Sequence, residues 1–214
     1  MLSSGGVDFW SFLVYSPRGT ASLSKQSKAY VDAMKRDGFL GGANVIQTMV
    51  KRLAERRPVE FAEFFGPEVT VIPVPGSGKM KENAQWLWVP ERICNAMREQ
   101  GLAGDVLPCL RRETAVPKSA GAKRQPPKVH YDSFAADASL IHPKRISLVD
   151  DVITRGSTLY AAFYRVLEEF PKASVKVFAM VRTISDGDLE GPSMAEPCTG
   201  TITWRGGNSL ARVP

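Results

Sequence analysis

Residues 146–159 read ISLVDDVITRGSTL and contain the strongest structural signal in the chain. The run starts as a short apolar strand at 146–149, and two adjacent carboxylates follow it. A turn rich in hydroxyl groups comes next, and a helix is predicted from Ser157 to Phe170, where Pro171 stops it. Another strand is predicted at 175–181. Strand, helix and strand in this order indicate a βαβ unit, and therefore an α/β fold with a parallel sheet.

The polar groups at the end of this strand suit a sugar phosphate. Open parallel sheets bind ligands beyond the carboxyl ends of their strands. The first turn of a helix offers unpaired N–H groups and a partial positive charge to a phosphate. Asp150 and Asp151 would be repelled by that phosphate, so we expect them to accept hydrogen bonds from ribose hydroxyl groups. The alternative is that the two aspartates only cap a helix in some other α/β fold.

This stretch resembles the phosphoribosyl-pyrophosphate signature of the type I phosphoribosyltransferases, in which an apolar strand, two acids and a Thr/Gly/Ser-rich turn follow one another. Arg155 is a departure, because the family more often has a small residue or threonine there. The resemblance implies a central parallel sheet flanked by helices, with a small hood and a flexible basic loop. It also implies that Asp150 and Asp151 hold the ribose and, indirectly through the ribose and water, Mg²⁺. The implied 5-phosphate ligands are Thr154, Arg155, Gly156, Ser157 and Thr158.

A second part of the chain resembles the same family. A β-branched strand predicted at 69–74 ends in residues 75–79, PGSGK, which we call the glycine turn. In the family, a turn at this place holds pyrophosphate with backbone amides and a basic residue. The implied pyrophosphate ligands are therefore Ser77, Gly78 and Lys79. An ordinary strand-to-helix turn is the alternative.

Residues 111–130 form a basic segment that carries most of the positive charge of the chain. Six lysines and arginines and one acid give it a net charge of +5, where the whole chain has +6. The segment is long for a simple connection between elements. The resemblance implies a mobile loop that closes over the active site, and the implied loop cations are Arg111, Arg112, Lys118, Lys123 and Arg124. A merely solvated loop and a nucleic-acid-binding segment are the other interpretations.

The composition is that of one globular domain over residues 1–214, with 43% hydrophobic and 23% charged residues. We expect a loose N-terminus at 1–6 and a C-terminal extension at 186–214 that contains an edge strand at 199–204. No apolar run is long enough to cross a membrane. Three scattered cysteines and two histidines argue against a zinc site and fit a reducing cytoplasm.

Local patterns predict the remaining elements. We predict a strand at 9–15, helices at 24–36, 43–57 and 91–100, and strands at 105–110 and 131–135. Ser24 is expected to cap the first of these helices. His130 and His142 are expected at the surface. The aromatic residues expected to pack in the core or hood, instead of stacking on a base, are Trp10, Trp86, Trp88, Phe61, Phe64 and Phe65. Met34, Met49 and Met97 are expected to fill the core.

The resemblance implies an enzyme that binds 5-phosphoribosyl-1-pyrophosphate (PRPP) with Mg²⁺. It would transfer phosphoribose to a nitrogen nucleophile, either a nucleobase or an amine, and release pyrophosphate. Within the family, the order of parts looks most like the ComF-type, amidophosphoribosyltransferase-like proteins, although their four-cysteine zinc module is absent here. That group suggests an alternative, a non-catalytic PRPP or nucleotide sensor or a DNA-associated competence protein, and relatives are frequently dimers. The residues that carry this likeness are Pro73, Val74, Pro75, Asn83, Gln85, Arg111, Arg112, Asp150 and Asp151.

Overall fold

The computed structural model describes residues 2, 5–56, 59–78, 88–117, 125–137, 142–184, 187–205 and 209–214. A short 3-10 helix at Val59–Glu63 precedes the fourth strand. The α-helices within these ranges are α1 (Ser22–Lys35), α2 (Val45–Arg56), α3 (Val89–Glu99), α4 (Pro127–Ser133) and α5 (Ser157–Glu169). The strands are β1 (Val7–Tyr15), β2 (Phe39–Leu40), β3 (Ala43–Asn44), β4 (Gly66–Pro73), β5 (Ala103–Val106), β6 (Leu110–Arg112), β7 (Phe134–Ala136), β8 (Arg145–Ile153), β9 (Ser174–Thr183), β10 (Ala195–Trp204) and β11 (Leu210–Val213).

The centre of the molecule is a seven-stranded sheet in the order β11-β10-β1-β9-β8-β4-β5. Strands β5, β4, β8, β9 and β1 run parallel to one another. Strand β10 pairs antiparallel with β1, and β11 pairs antiparallel with β10. The parallel sheet predicted from the βαβ pattern is therefore confirmed. The carboxyl ends of β4, β8 and β9 lie next to one another, because β4 and β9 both pair with β8.

Helices cover both faces of this sheet, and each face has its own hydrophobic cluster. Helices α1, α2 and α3 pack on one face around Trp10, whose ring stacks on Phe178 at a centroid distance of 5.6 Å. Helix α5 packs on the other face against Leu148 and Ile72. The predicted core phenylalanines and methionines are buried in the first cluster, which confirms their interpretation as packing residues.

Three local predictions differ from the structure. Ser24 does not cap α1, which begins at Ser22; its buried Oγ instead accepts a hydrogen bond from the Leu189 N–H at 3.0 Å. The strand predicted at 105–110 is wrong, since β5 ends at 106 and β6 starts at 110 in a separate two-stranded sheet with β7. The strand predicted at 131–135 is mostly the end of α4.

The ends of the chain belong to the same structure. The Gly5 carbonyl accepts a hydrogen bond from the Tyr160 hydroxyl at 3.0 Å, so at least this part of the predicted loose N-terminus is held. The strand predicted at 199–204 is present as part of β10, but its predicted edge position is wrong, because β10 lies between β1 and β11. Among the described residues, no helix is long and apolar enough to cross a membrane.

Candidate functional site

The turn that joins β8 to α5 presents the start of a helix at the carboxyl edge of the sheet. Thr154 and Arg155 are exposed, and Gly156 precedes the helix in the left-handed region, with φ 87°. A side chain at Gly156 would also place its Cβ 2.7 Å from Ile202 Cδ1, so glycine is required on two grounds. The N–H groups of the first turn of α5 have no partners within the helix, and no acidic side chain lies there to repel an anion.

A cavity of about 130 Å³ opens in front of this helix start. The five residues predicted to hold a 5-phosphate all line it, together with Asp150. Gln125, from the end of the basic segment, lines it as well. Gln125 could not be singled out from its sequence position, because a glutamine between an arginine and two prolines is typical of an ordinary loop. The residues around the cavity are Gln125, Asp150, Val152, Ile153, Thr154, Arg155, Gly156, Ser157, Thr158 and Leu159.

The two aspartates lie in β8 itself, where the strand is irregular. Val149 and Ile153 would share one face of a regular strand, yet they pack in opposite hydrophobic clusters. Asp150 accepts a hydrogen bond from the Asp151 N–H at 2.9 Å, and Asp151 accepts one from the Val152 N–H at 2.8 Å. Each carboxylate is therefore held through Oδ1 by the main chain of the next residue.

The environment of Asp150 favours its protonated form. Its pKa is raised well above the usual range, first because the carboxyl group is shielded from water and second because the Asp151 charge is adjacent. The positive charge of Arg112 acts in the opposite direction. The acid pair therefore favours the approach of a cation or of hydroxyl donors, which would stabilise the charged carboxylates.

The described part of the glycine turn lies beside the acid pair. Pro73 pairs with Val149, and the Val74 N–H donates to the Val149 carbonyl at 2.9 Å. The Ser77 carbonyl accepts a hydrogen bond from the Val116 N–H at 2.8 Å, which joins the turn to the chain that follows β6. Lys79, Asn83 and Gln85 lie outside the described residues.

The prediction of one continuous basic loop over 111–130 is wrong at both ends. Arg111 and Arg112 form β6, which pairs with β7, and α4 occupies 127–133. The two strands hold the ends of the intervening chain together. Lys118, Lys123 and Arg124 lie outside the described residues, so their place relative to the cavity stays a prediction.

Arg112 is buried, with 1% of its surface exposed. Its Nε donates to the Gly76 carbonyl at 2.5 Å, its Nη1 donates to Ser133 Oγ, and its guanidinium lies 4.1 Å from the centre of the Phe134 ring. Burial lowers its pKa to about 10, and the charge of Asp150 partly offsets this effect. In the sequence, Arg112 cannot be told apart from its exposed neighbour Arg111.

His130 is also buried, at 2% exposure, so the prediction of a surface histidine is wrong. Its ring nitrogens have no hydrogen-bond partner among the described residues. Burial, followed by the charge of Arg112, lowers the pKa of His130 to about 4, so the ring is neutral at neutral pH.

The acid pair is suited to a magnesium ion that binds indirectly, through water and the oxygens of a bound sugar phosphate. Magnesium usually takes one or two carboxylates and completes its shell with water and substrate oxygens, so a closed protein cage is not needed. No cluster of three or more His, Cys, Asp or Glu side chains suited to a metal occurs in the described part of the chain. Asp150 and Asp151 are half-buried and adjacent, and they would serve as the carboxylate side of such a shell.

The fold was compared with solved structures. A crystal structure of an adenine phosphoribosyltransferase is similar at 17% sequence identity, over 73% of this chain and 90% of that chain, with a TM-score of 0.39. A hypoxanthine phosphoribosyltransferase from Staphylococcus aureus is similar at 12% identity, over 66% of this chain and 73% of that chain, with a TM-score of 0.36. No protein-family model and no curated protein matches the sequence.

Proposed function

We propose that the chain is a type I phosphoribosyltransferase, which binds PRPP with Mg²⁺ and transfers phosphoribose to a nitrogen nucleophile with release of pyrophosphate. The observation that carries this proposal is the single cavity that joins Asp150 to the first turn of α5. It combines an anion-binding helix start with a carboxylate suited to hydroxyl groups. These are the two ends of a ribose 5-phosphate.

The 5-phosphate would lie in the turn at 154–158. Backbone N–H groups at the start of α5 would donate to its oxygens, and the macrodipole of the helix would favour its charge. The hydroxyl groups of Thr154, Ser157 and Thr158 border the same cavity and add donors. Arg155 lines the cavity too and adds a positive charge, so the departure from the family pattern is compatible with phosphate binding.

The ribose would lie over the acid pair. Asp150 and Asp151 each have one oxygen held by a backbone N–H, and the remaining lone pairs of the two carboxylates would accept from sugar hydroxyls. Asp150 and Asp151 would hold Mg²⁺ indirectly, through water and substrate oxygens, and the bound ion would neutralise charge on the leaving group. The carboxylates would also favour positive charge that develops on the sugar ring in the transition state.

The transfer exchanges one bond at C1 of the ribose for another. The bond from C1 to the pyrophosphate oxygen breaks, the electron pair leaves with pyrophosphate, and the nitrogen of the acceptor forms a new bond to C1. The nitrogen then releases a proton. Cations near the glycine turn would stabilise the departing pyrophosphate, and Lys79 is proposed for this role from the sequence alone.

The charges of the basic segment favour this proposal over a DNA-associated role. Arg111 forms ion pairs with Asp137 and Glu113, and Lys128 forms one with Asp132. Arg112 is buried. Three of the six cations are therefore not free to follow a DNA backbone. The finer likeness to ComF-type proteins remains part of the proposal, since only Pro73, Val74 and Pro75, the arginine pair and the acid pair lie in the described residues.

Calorimetry with PRPP and Mg²⁺ tests the proposal. Wild type should bind PRPP, and Asp150→Asn and Asp151→Asn should each weaken binding about tenfold or more, because a hydrogen bond to a charged group contributes about 1.5–3 kcal/mol. Asp105→Asn is a matched control. Like the two acids, Asp105 accepts a hydrogen bond from the next backbone N–H, at 2.8 Å. It lies away from the acid pair, because it pairs with Thr70, and Thr70 pairs with Ile146 near the start of β8.

A screen for pyrophosphate release, with nucleobases and ammonia as acceptors, tests the transfer step. Release that depends on one acceptor and disappears in Asp150→Asn would support the enzyme and identify its acceptor class. PRPP binding without release for any acceptor would favour the sensor instead. Wild type that binds no PRPP but shifts DNA in a salt-sensitive manner would overturn the proposal.

A further inference from the structure

Arg112 connects three parts of the molecule that are far apart in sequence. From β6, its Nε reaches the glycine turn at the Gly76 carbonyl, 36 residues earlier. Its Nη1 reaches Ser133 at the end of α4, 21 residues later. Ser133 Oγ in turn donates to the His130 carbonyl at 2.6 Å, so this end of α4 is fixed in the same network. Few side chains other than arginine can supply two such bonds from one planar group.

Within the described part of the chain, the charge of Arg112 has no counter-ion in contact. Among the described residues, Arg112 forms no ion pair within 4.0 Å, and its Nη2 has no hydrogen-bond partner. The adjacent His130 is neutral, and its ring nitrogens have no hydrogen-bond partner among the described residues either. A buried cation without a contacting counter-ion is unfavourable unless something compensates it, and the charge of Asp150 does so only in part. A purely structural link between these elements would not need the charge.

We infer that Arg112 is a positioning residue, which fixes the glycine turn against β6 and α4 and biases that turn toward a pyrophosphate-like polyanion. This inference rests on the proposed function. A bond to Gly76 holds the turn in one conformation, and the unpaired charge lies where an anion at the turn would offset it. The sugar-phosphate cavity does not need Arg112, because α5 and the turn at 154–158 line it.

Separate titrations with two probes test this division of roles. Magnesium pyrophosphate reports on the glycine turn, and ribose 5-phosphate reports on the cavity at α5. Arg112→Gln should weaken magnesium pyrophosphate at least about tenfold and change ribose 5-phosphate affinity by less than about twofold. Arg112→Lys keeps the charge but not the two-bond geometry, and it should lie between Arg112→Gln and wild type.

Two further variants keep the test decisive if Arg112→Gln folds poorly. Ser133→Ala removes the acceptor for Arg112 on α4, together with the bond to the His130 carbonyl, and should weaken pyrophosphate binding several-fold. Arg182→Gln is a control for the loss of a buried arginine, since Arg182 is 7% exposed and pairs with Glu196. It should leave the affinity for magnesium pyrophosphate unchanged.

Hydrogen exchange of the Val116 amide supplies a readout without any ligand. This N–H donates to Ser77 in the glycine turn, so it should exchange at least about tenfold faster in Arg112→Gln and not in Arg182→Gln. The inference is overturned if Arg112→Lys and Ser133→Ala bind both probes as wild type does, or if Arg112→Gln weakens both equally with unchanged Val116 exchange. If wild type binds neither probe, the proposed function fails, and the Val116 exchange alone still decides whether Arg112 positions the turn.

Discussion

Gly156 holds the backbone conformation of the turn at 154–158, which we call the phosphate turn after its proposed ligand. Its φ of 87° lies in the left-handed region, and Ile202, fully buried, leaves no room for a β-carbon. Alanine at this position should destabilise the protein by about 1–2 kcal/mol for the backbone, and by about 1–3 kcal/mol more for the contact. Urea unfolding measures the loss in the free energy of unfolding, and titration with ribose 5-phosphate measures the distortion of the turn.

Gly101 provides a matched control for this prediction. It has a similar φ of 69°, but a β-carbon there would meet nothing within 4 Å. Gly101→Ala should therefore show only the backbone part of the loss and bind ribose 5-phosphate normally. Equal losses in the two variants would show that the contact with Ile202 has no energetic weight.

The residue scale also shows where sequence reasoning fails. The acid pair and the turn at 154–158 could be located from the sequence, because strand, acids, glycine and helix start follow one another within fourteen residues. Arg111 and Arg112 are adjacent and chemically identical, yet Arg111 is exposed with two ion pairs and Arg112 is buried without any ion pair to the described residues. Their different roles depend on Gly76 and Ser133, which no local pattern connects to them.

At the scale of elements, α4 shows how tertiary contacts override local preference. Tyr131 and Phe134 are aromatic residues that favour a strand, and this led to the wrong prediction. The segment is helical because two prolines stand at its start and because it docks on α5. The contact includes the Arg165 guanidinium, which lies 4.1 Å from the Tyr131 ring centre and donates to the Tyr131 carbonyl at 3.0 Å.

Helix α4 gives the protein a defined pH dependence through His130. Its pKa falls from 6.5 to about 4 on folding, so between these values the unfolded chain binds a proton that the folded chain does not. This contribution to stability is complete above pH 6.5 and is lost as the pH falls toward 4, by up to about 3 kcal/mol. The raised pKa of Asp150 acts with the opposite sign, since its folded form retains a proton more tightly.

His130→Phe isolates the histidine contribution, because it keeps an aromatic ring and removes the titration. The difference in the free energy of unfolding between variant and wild type should change in favour of the variant as the pH falls from 7 to 4.5. Asp150 is present in both proteins, so its effect cancels in the difference. A difference that is constant over this range would show that folding leaves the pKa of His130 unchanged.

At the scale of the whole molecule, the C-terminal strands complete the sheet instead of extending from it. Val7 pairs with Ile202, and this contact between the two ends of the chain has no local signature. Because no local pattern marks this contact, the sequence alone predicts the Gly- and Pro-rich tail as an extension. Ile202 also packs beneath Gly156, so the last strands help to shape the candidate site.

Arg212 makes the same connection through hydrogen bonds. From β11, it donates to the Ile153 carbonyl at 3.1 Å and to the Thr183 carbonyl at 2.6 Å, at the carboxyl ends of β8 and β9. Ile153 directly precedes the phosphate turn, so the bond fixes the residue from which that turn starts. Burial is the main reason that the pKa of Arg212 is lowered, and the guanidinium stays charged at neutral pH.

Arg212→Met should therefore reduce both stability and phosphate affinity. The variant removes two hydrogen bonds from a charged donor and leaves the two carbonyl groups without this partner. We therefore expect a loss of about 2–4 kcal/mol in the free energy of unfolding. Ribose 5-phosphate should bind several-fold more weakly, because Ile153 and Thr154 are no longer held from β11. Arg205→Met removes the same charge from an exposed side chain and should change stability by no more than about 0.5 kcal/mol. If the two variants behave alike, the last strand has no part in positioning the phosphate turn.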